Sequence, residues 1–161
     1  MPGPVCAQCG RPLDLHDRHY RFRLPDMLVG ADGARTWCSH EDPASSVMLR
    51  ARGVGSFVRC LLPVRLTGGY TVTFGIWLAV RRRDLRRAER LWWSPDYPEL
   101  VLDGRLANAL PGWGLLDAPA RAGVRDPDET PYVEESADPA LARVLAAEWP
   151  HDQVLATVPD P

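Results

Sequence analysis

Lysine is absent from this chain of 161 residues; all 19 basic residues are arginine. With 16 prolines, that bias looks like the codon preference of a GC-rich genome, so arginine by itself is discounted as a functional signal. Net charge is equally scarce. The 21 acidic residues nearly cancel the basic ones and leave −2, which excludes a global field drawing the chain onto nucleic acid or anionic lipid. Any such binding would need a local patch. No apolar run approaches the roughly 20 residues that span a bilayer, and the start MPGPVCAQCG lacks the charged-then-apolar layout of a leader. A soluble, cytoplasmic protein with no membrane partner is expected. A Gly-rich phosphate loop, a nucleophile elbow, an H-E-x-x-H pattern and internal repeats are also missing. No catalytic residues are assigned, because His151 with Asp152, or His16 with Asp17, are adjacent in sequence only.

What the chain does have is "VCAQCGRPLDLHDRHY" near its start, with two of its four cysteines and two of its four histidines. In a reducing compartment, two cysteines separated by two residues read as metal ligands or catalytic thiols rather than a disulfide. A redox C-x-x-C needs a helix after it to stabilise the attacking thiolate, whereas Cys9 is followed by Gly10, Arg11 and Pro12. Glycine directly after the second cysteine suits a metal knuckle, whose backbone folds tightly around the sulfurs. Tetrahedral zinc wants two further ligands, and the candidates are His16, His19, Cys38, His40 and Cys60. Cys38 and His40 lie two apart in "TWCSHEDP" and would point the same way on an extended segment. Cys60 belongs to the apolar face of a strand, and His16 and His19 sit in a charged segment that reads as solvated surface. The expected site is therefore a closed, structural zinc held by Cys6, Cys9, Cys38 and His40.

"SFVRCLLPVRLTGGYTVTFGIWLAV" reads as a β-hairpin turned at Thr67-Gly68-Gly69. A three-residue loop opposes Leu66 to Tyr70, Val64 to Val72, Leu62 to Phe74, Cys60 to Ile76 and Val58 to Leu78. Every pair is apolar, which a two-residue loop would not achieve. The other face would set Arg59 across from Trp77, with Arg65 beside them, as an arginine and aromatic surface for phosphate, acidic protein or unstacked bases. Residues 45–53 form a preceding strand, so 45–80 is a β-meander. Residues 81–93 form an arginine-rich helix with Leu85, Ala88 and Trp92 on one face. "LDGRLANALPGWGLLDAP" holds a short helical piece and then a Pro-Gly break, and 120–136 short extended segments. Asp138 caps a last helix over 138–149 that begins at Pro139, and the tail adds a short strand. One domain over 1–161 is expected: an α+β fold, an antiparallel β-meander sheet with two main helices packed on it and an N-terminal metal knuckle over 1–42.

The C-x-x-C-G start, the hairpin with "FGIWLAV", the "LANALPGWG" segment and the ending "TPYVEESADPALARVLAAEW" resemble a bacterial family known as domain of unknown function 2199. The resemblance spans most of the chain and implies an α+β fold and a bacterial origin, with no activity attached. It matches the family's cysteines to Cys6 and Cys9 and gives no counterpart for Cys38 and His40. Family members often carry a histidine before the last helix, where this chain has Asp138, so no role is carried over there. The functional expectation is a zinc-stabilised domain that binds a macromolecule, for instance an acidic protein, through Arg59, Trp77, Arg65 or the 81–90 helix. An enzyme with an open metal site, or with a pocket at Asn108 and Trp113, is the alternative. Binding of nucleic acid or phosphate through the arginine face comes third.

Overall fold

A computed structural model describes residues 3–30 and 36–159. Two long strands organise it, β4 (Gly55–Leu66) and β5 (Tyr70–Val80), after the short strands β1 (His19–Arg21), β2 (Thr36–Cys38) and β3 (Met48–Ala51). The hairpin register is the one the apolar pattern requires, from Leu66 opposite Tyr70 to Val58 opposite Leu78, with Arg59 opposite Trp77. Gly68 and Gly69 make the turn with φ of 85° and 88°, a region open to glycine at little cost. Beyond the hairpin come α1 (Arg82–Trp92), β6 (Val101–Leu106), β7 (Pro119–Gly123), β8 (Tyr132–Glu135), α2 (Pro139–Ala146), β9 (Glu148–Trp149) and α3 (His151–Leu155).

The antiparallel order runs beyond the hairpin, so a β-meander ending at residue 80 describes only part of the sheet. Strands β6, β7 and β8 continue from β5 as antiparallel neighbours until β8 pairs with β4 at Leu61 and Tyr132, and this closes a five-stranded barrel, β5-β6-β7-β8-β4. Closure removes two sheet edges and creates an interior for one alternate set of side chains. Among the described residues three pairings are parallel: β1 with β5, β8 with β4 and β9 with β4. Strand β6 replaces the start of the expected irregular stretch, since Leu102 and Leu106 turn inward while Val101, Asp103 and Arg105 face out, a period of two. "LANALPGWG" forms turns rather than a helical piece.

The main core fills the barrel with Val58, Cys60, Leu62, Val64, Phe74, Ile76 and Leu102, and is covered by Leu85 and Ala88 of α1 and by Leu141 and Val144 of α2. Asp138 caps α2 by accepting from the amides of Ala140 and Leu141, and Pro139 is its first residue. The helix stops at Ala146, short of 149. Trp149 sits on β9 instead, its indole N–H donating to the Val144 carbonyl at 3.1 Å. The expected tail strand is the short helix α3, led in by Pro150. A second apolar cluster, Leu28, Leu49, Ala51, Phe57, Trp77 and Ala107, lies on the opposite face of the hairpin under the N-terminal segment. Among the described residues, no helix is long and apolar enough to cross a membrane.

Candidate metal centre

The chain between Val5 and Pro12 doubles back on itself. The Cys6 amide donates to the Arg11 carbonyl at 2.8 Å, the Gly10 amide to the Cys6 carbonyl at 2.9 Å, and Gly10 holds φ at 71°. A side chain at that φ would be strained, so glycine is what lets the two thiols face the same side. Past a 3-10 turn at Leu13–Leu15, the His16 ring folds inward and its Nδ1 meets the Pro12 carbonyl at 3.1 Å. The next residue, Asp17, turns back outward at φ 53° and accepts from the Thr71 amide at 2.6 Å, which ties this loop to β5.

His151 reaches the same place from the far end of the chain, as the first residue of α3. Its Nε2 meets the Thr67 carbonyl in the β4–β5 turn at 2.5 Å. Tyr70, just past that turn, packs its ring 4.6 Å from His16 and 5.6 Å from His151, measured between centroids. The ligand atoms of Cys6, Cys9, His16 and His151 lie within 4.8 Å of one another, a two-cysteine, two-histidine group able to hold a metal ion. Cys6 Sγ is 3.6 Å from His151 Nδ1, Cys9 Sγ 3.5 Å from His16 Nε2, and the two ring nitrogens 3.3 Å apart. Cys6, His16 and His151 are buried and Cys9 is half-buried. Beside them Arg11 pairs with Asp152; that carboxylate first, then Cys9, holds the guanidinium proton more firmly than usual.

The structure thus brings Cys6 and Cys9 together as expected, but with His16 and His151 beside them in place of Cys38 and His40. Cys38 lies on β2 opposite Leu49, half-buried against the second apolar cluster, where burial pushes its thiol pKa up. His40 is exposed and its Nδ1 meets the Ser39 hydroxyl at 3.0 Å. Neither joins the group. His16 is buried rather than solvated. Its charged neighbours Asp14 and Asp17 take the solvent side while the ring turns in, which a composition reading of "DLHDRHY" misses. His151 has no local motif that marks it. Cys60 is fully buried in the core, as its strand position requires, and burial drives its thiol pKa far up.

The expected arginine and aromatic surface is inside the protein. Trp77 is fully buried and Arg59 is 3% exposed, because residues 22–28 and 43–46 cover that face of the hairpin. Arg59 stacks over the Trp77 ring at 4.2 Å and donates to the carbonyls of Phe22, Ser46, Ala44 and Arg23 at 2.8, 3.1, 3.2 and 3.4 Å. Burial, with Arg21 nearby, lowers its pKa to about 9. It organises the covering segments and is out of a partner's reach. Arg65 is exposed and donates to the Ala146 carbonyl at the end of α2. Asn108 is likewise buried: it accepts from the Trp77 amide and donates to the Leu24 carbonyl and the Asp26 carboxylate.

Residues 5–143 match a family described as "Uncharacterized protein conserved in bacteria (DUF2199)". No curated protein matches the chain, and no solved structure does. The matched stretch takes in Cys6, Cys9 and His16 and ends before His151, and on its extent the chain belongs to this uncharacterised bacterial family, DUF2199.

Proposed function

We propose that this chain is a zinc-stapled, non-catalytic interaction domain in which Cys6, Cys9, His16 and His151 close one tetrahedral site. The observation that carries the reading is the set of donor separations. Zinc bonds of about 2.3 Å to sulfur and 2.05 Å to nitrogen generate tetrahedral edges of about 3.6 Å between S and N and about 3.3 Å between two nitrogens. Three of the six separations here are 3.6, 3.5 and 3.3 Å, and all six lie within 4.8 Å. Both histidines also present their second nitrogen to a backbone carbonyl, the arrangement that fixes ring orientation around a metal. Two thiolates balance the ion's charge, and four protein ligands leave no position for water, so the metal's task in this reading is to hold the fold.

The staple joins the two ends of the chain on one end of the β4–β5 hairpin, across 145 residues between Cys6 and His151. Elemental analysis of untagged protein should find one zinc per chain, lost in Cys6→Ser and in His151→Ala, and retained in Cys38→Ser. A metal-free wild type, or full zinc in His151→Ala, would reject the site. With Arg59 and Trp77 inside, the partner surface that remains is the exposed arginine face of α1, including Arg83, Arg86, Arg87 and Arg90, which suits an acidic protein in the cytoplasm. Binding of poly-glutamate that survives Arg86→Glu with Arg87→Glu would remove that face from the proposal.

A further inference from the structure

At the opposite end of the hairpin from the metal centre, the sheet opens into a groove of about 930 Å³. Its floor is one row of side chains running across four strands: Trp37 on β2 faces Arg50 on β3, Arg50 faces Ser56 on β4, and Ser56 faces Val80 on β5. One pleat earlier, the same row holds Met48, Val58 and Leu78, all fully buried. The core face therefore runs out into solvent at this point, and the side chains change from apolar to cationic. Arg52, in the turn that follows β3, and Arg82, the first residue of α1, complete the wall.

Three guanidiniums and no carboxylate line this groove among the described residues. None of the three side chains has an ion-pair partner there either. Some exposed arginines elsewhere are paired, Arg121 with Asp103 and Glu135, Arg125 with Glu134 and Arg81 with Asp84, while Arg83, Arg86, Arg87 and Arg90 stand on the open face of α1; this cluster differs from those in lining a concave groove beside an aromatic ring. Like charges gathered without a counter-ion repel, and an anion reverses the sign of that energy. The start of α1 strengthens the field, since its N-cap residue makes no side-chain cap and the positive end of the helix dipole lies at Arg82. Trp37 adds a flat ring, 37% exposed, directly across from Arg50.

We infer that this groove binds a nucleotide, with its phosphates on Arg50, Arg52 and Arg82 and its base against the indole of Trp37. The volume falls within the roughly 300–1,000 Å³ of small-molecule sites. The ring decides for a nucleotide over a bare phosphate, because aromatic stacking supplies an attraction that a simple anion cannot use. The site owes nothing to the metal: residues 56 and 66 of β4 stand about 30 Å apart along the strand.

The test is calorimetric titration of the full chain with ATP, tripolyphosphate and adenosine as separate probes. ATP should bind more tightly than either fragment. Arg50→Gln should weaken ATP by about tenfold or more, the loss of one charge-assisted contact. Arg82→Gln, on an exposed side chain that no fold contact uses, should do the same with an unchanged thermal melt. Trp37→Ala should cost about tenfold toward ATP and nothing toward tripolyphosphate. No ATP binding at millimolar concentration, or binding indifferent to Arg50 and Arg82, overturns the inference. Tripolyphosphate binding as tightly as ATP, with no effect of Trp37→Ala, overturns the nucleotide in favour of a phosphate site.

Discussion

The Nε2 of His16 and the Nδ1 of His151 face each other at 3.3 Å, although 135 residues separate them along the chain. Each ring turns its other nitrogen to a backbone carbonyl, Pro12 for His16 and Thr67 for His151. A carbonyl only accepts, so each outer nitrogen is the donor in its contact, which leaves the inner nitrogens facing each other beside the sulfurs of Cys6 and Cys9. A metal cation bound there would be held by those two nitrogens and by the two sulfurs as thiolates.

Metal loading should therefore expel about two protons per ion, and affinity should rise by about a hundredfold per pH unit while both thiols are protonated beforehand. Zinc titrations in buffers of different ionisation enthalpy count the protons directly. A count near zero would mean that the thiols are not ligands. A count near one would mean that only one of them is.

How much of this was legible in the sequence depended on whether the signal was local. The hairpin register was readable because five successive apolar pairs agree on one loop length, and the cap at Asp138 because its partners are two and three residues away. Barrel closure was not, since it rests on Leu61 meeting Tyr132. The two cysteines were readable from their spacing with Gly10. The histidines were not: His16 is placed by a carbonyl four residues back within a charged segment, and His151 by the turn at Thr67. The hairpin pattern alone places Arg59 opposite Trp77, yet that face is covered by the N-terminal segment, which has little regular structure of its own to read.

Arg59 should prove a structural cation. Its guanidinium serves carbonyls on two stretches of chain, 22–23 and 44–46, and replacing it with methionine keeps the stem while leaving those acceptors buried without a donor. A loss of about 3 kcal/mol in urea unfolding is expected. Arg59→Lys should recover only part of it, because one ammonium cannot span the same fork. Wild-type stability in both variants would return Arg59 to the list of available surface residues.

Cys60 should make stability fall with alkaline pH. Burial raises its thiol pKa in the folded chain, so the folded state keeps a proton that the unfolded state releases above the ordinary cysteine range near pH 9. That contribution is complete below pH 9 and is lost as pH climbs toward the folded value. Tyr97, also raised by burial, acts in the same direction from about pH 10. Wild type and Cys60→Ala should differ in unfolding free energy by an amount that shrinks above pH 9, by up to about 1.4 kcal/mol per pH unit. The lowered Arg59 pushes the opposite way, and because the charges of Cys60 and Arg59 act on each other its contribution cancels only in part. Parallel stability curves would show that the thiol titrates normally.

Gly104 should be the least replaceable glycine in the barrel. A Cβ built there comes within 2.3 Å of the Ala79 carbonyl oxygen and 2.8 Å of Leu78 Cγ. The oxygen is backbone and cannot swing aside, and moving it disturbs the Ala79–Arg105 pairing by which β6 continues from β5. Gly69 offers the contrast: its φ of 88° strains any side chain, but nothing lies within 4 Å of the added carbon. Gly69→Ala should cost about 1–2 kcal/mol, the ordinary penalty of the left-handed region. Gly104→Ala should cost more, about 3 kcal/mol, because relief of the clash requires the barrel to open at this seam. Hydrogen exchange locates the damage: amides of β6 and β7 should lose protection in Gly104→Ala while the β4–β5 hairpin keeps its own. Equal stability of the two variants would mean that β6 shifts freely against β5, and that closure does not depend on the close approach at Gly104.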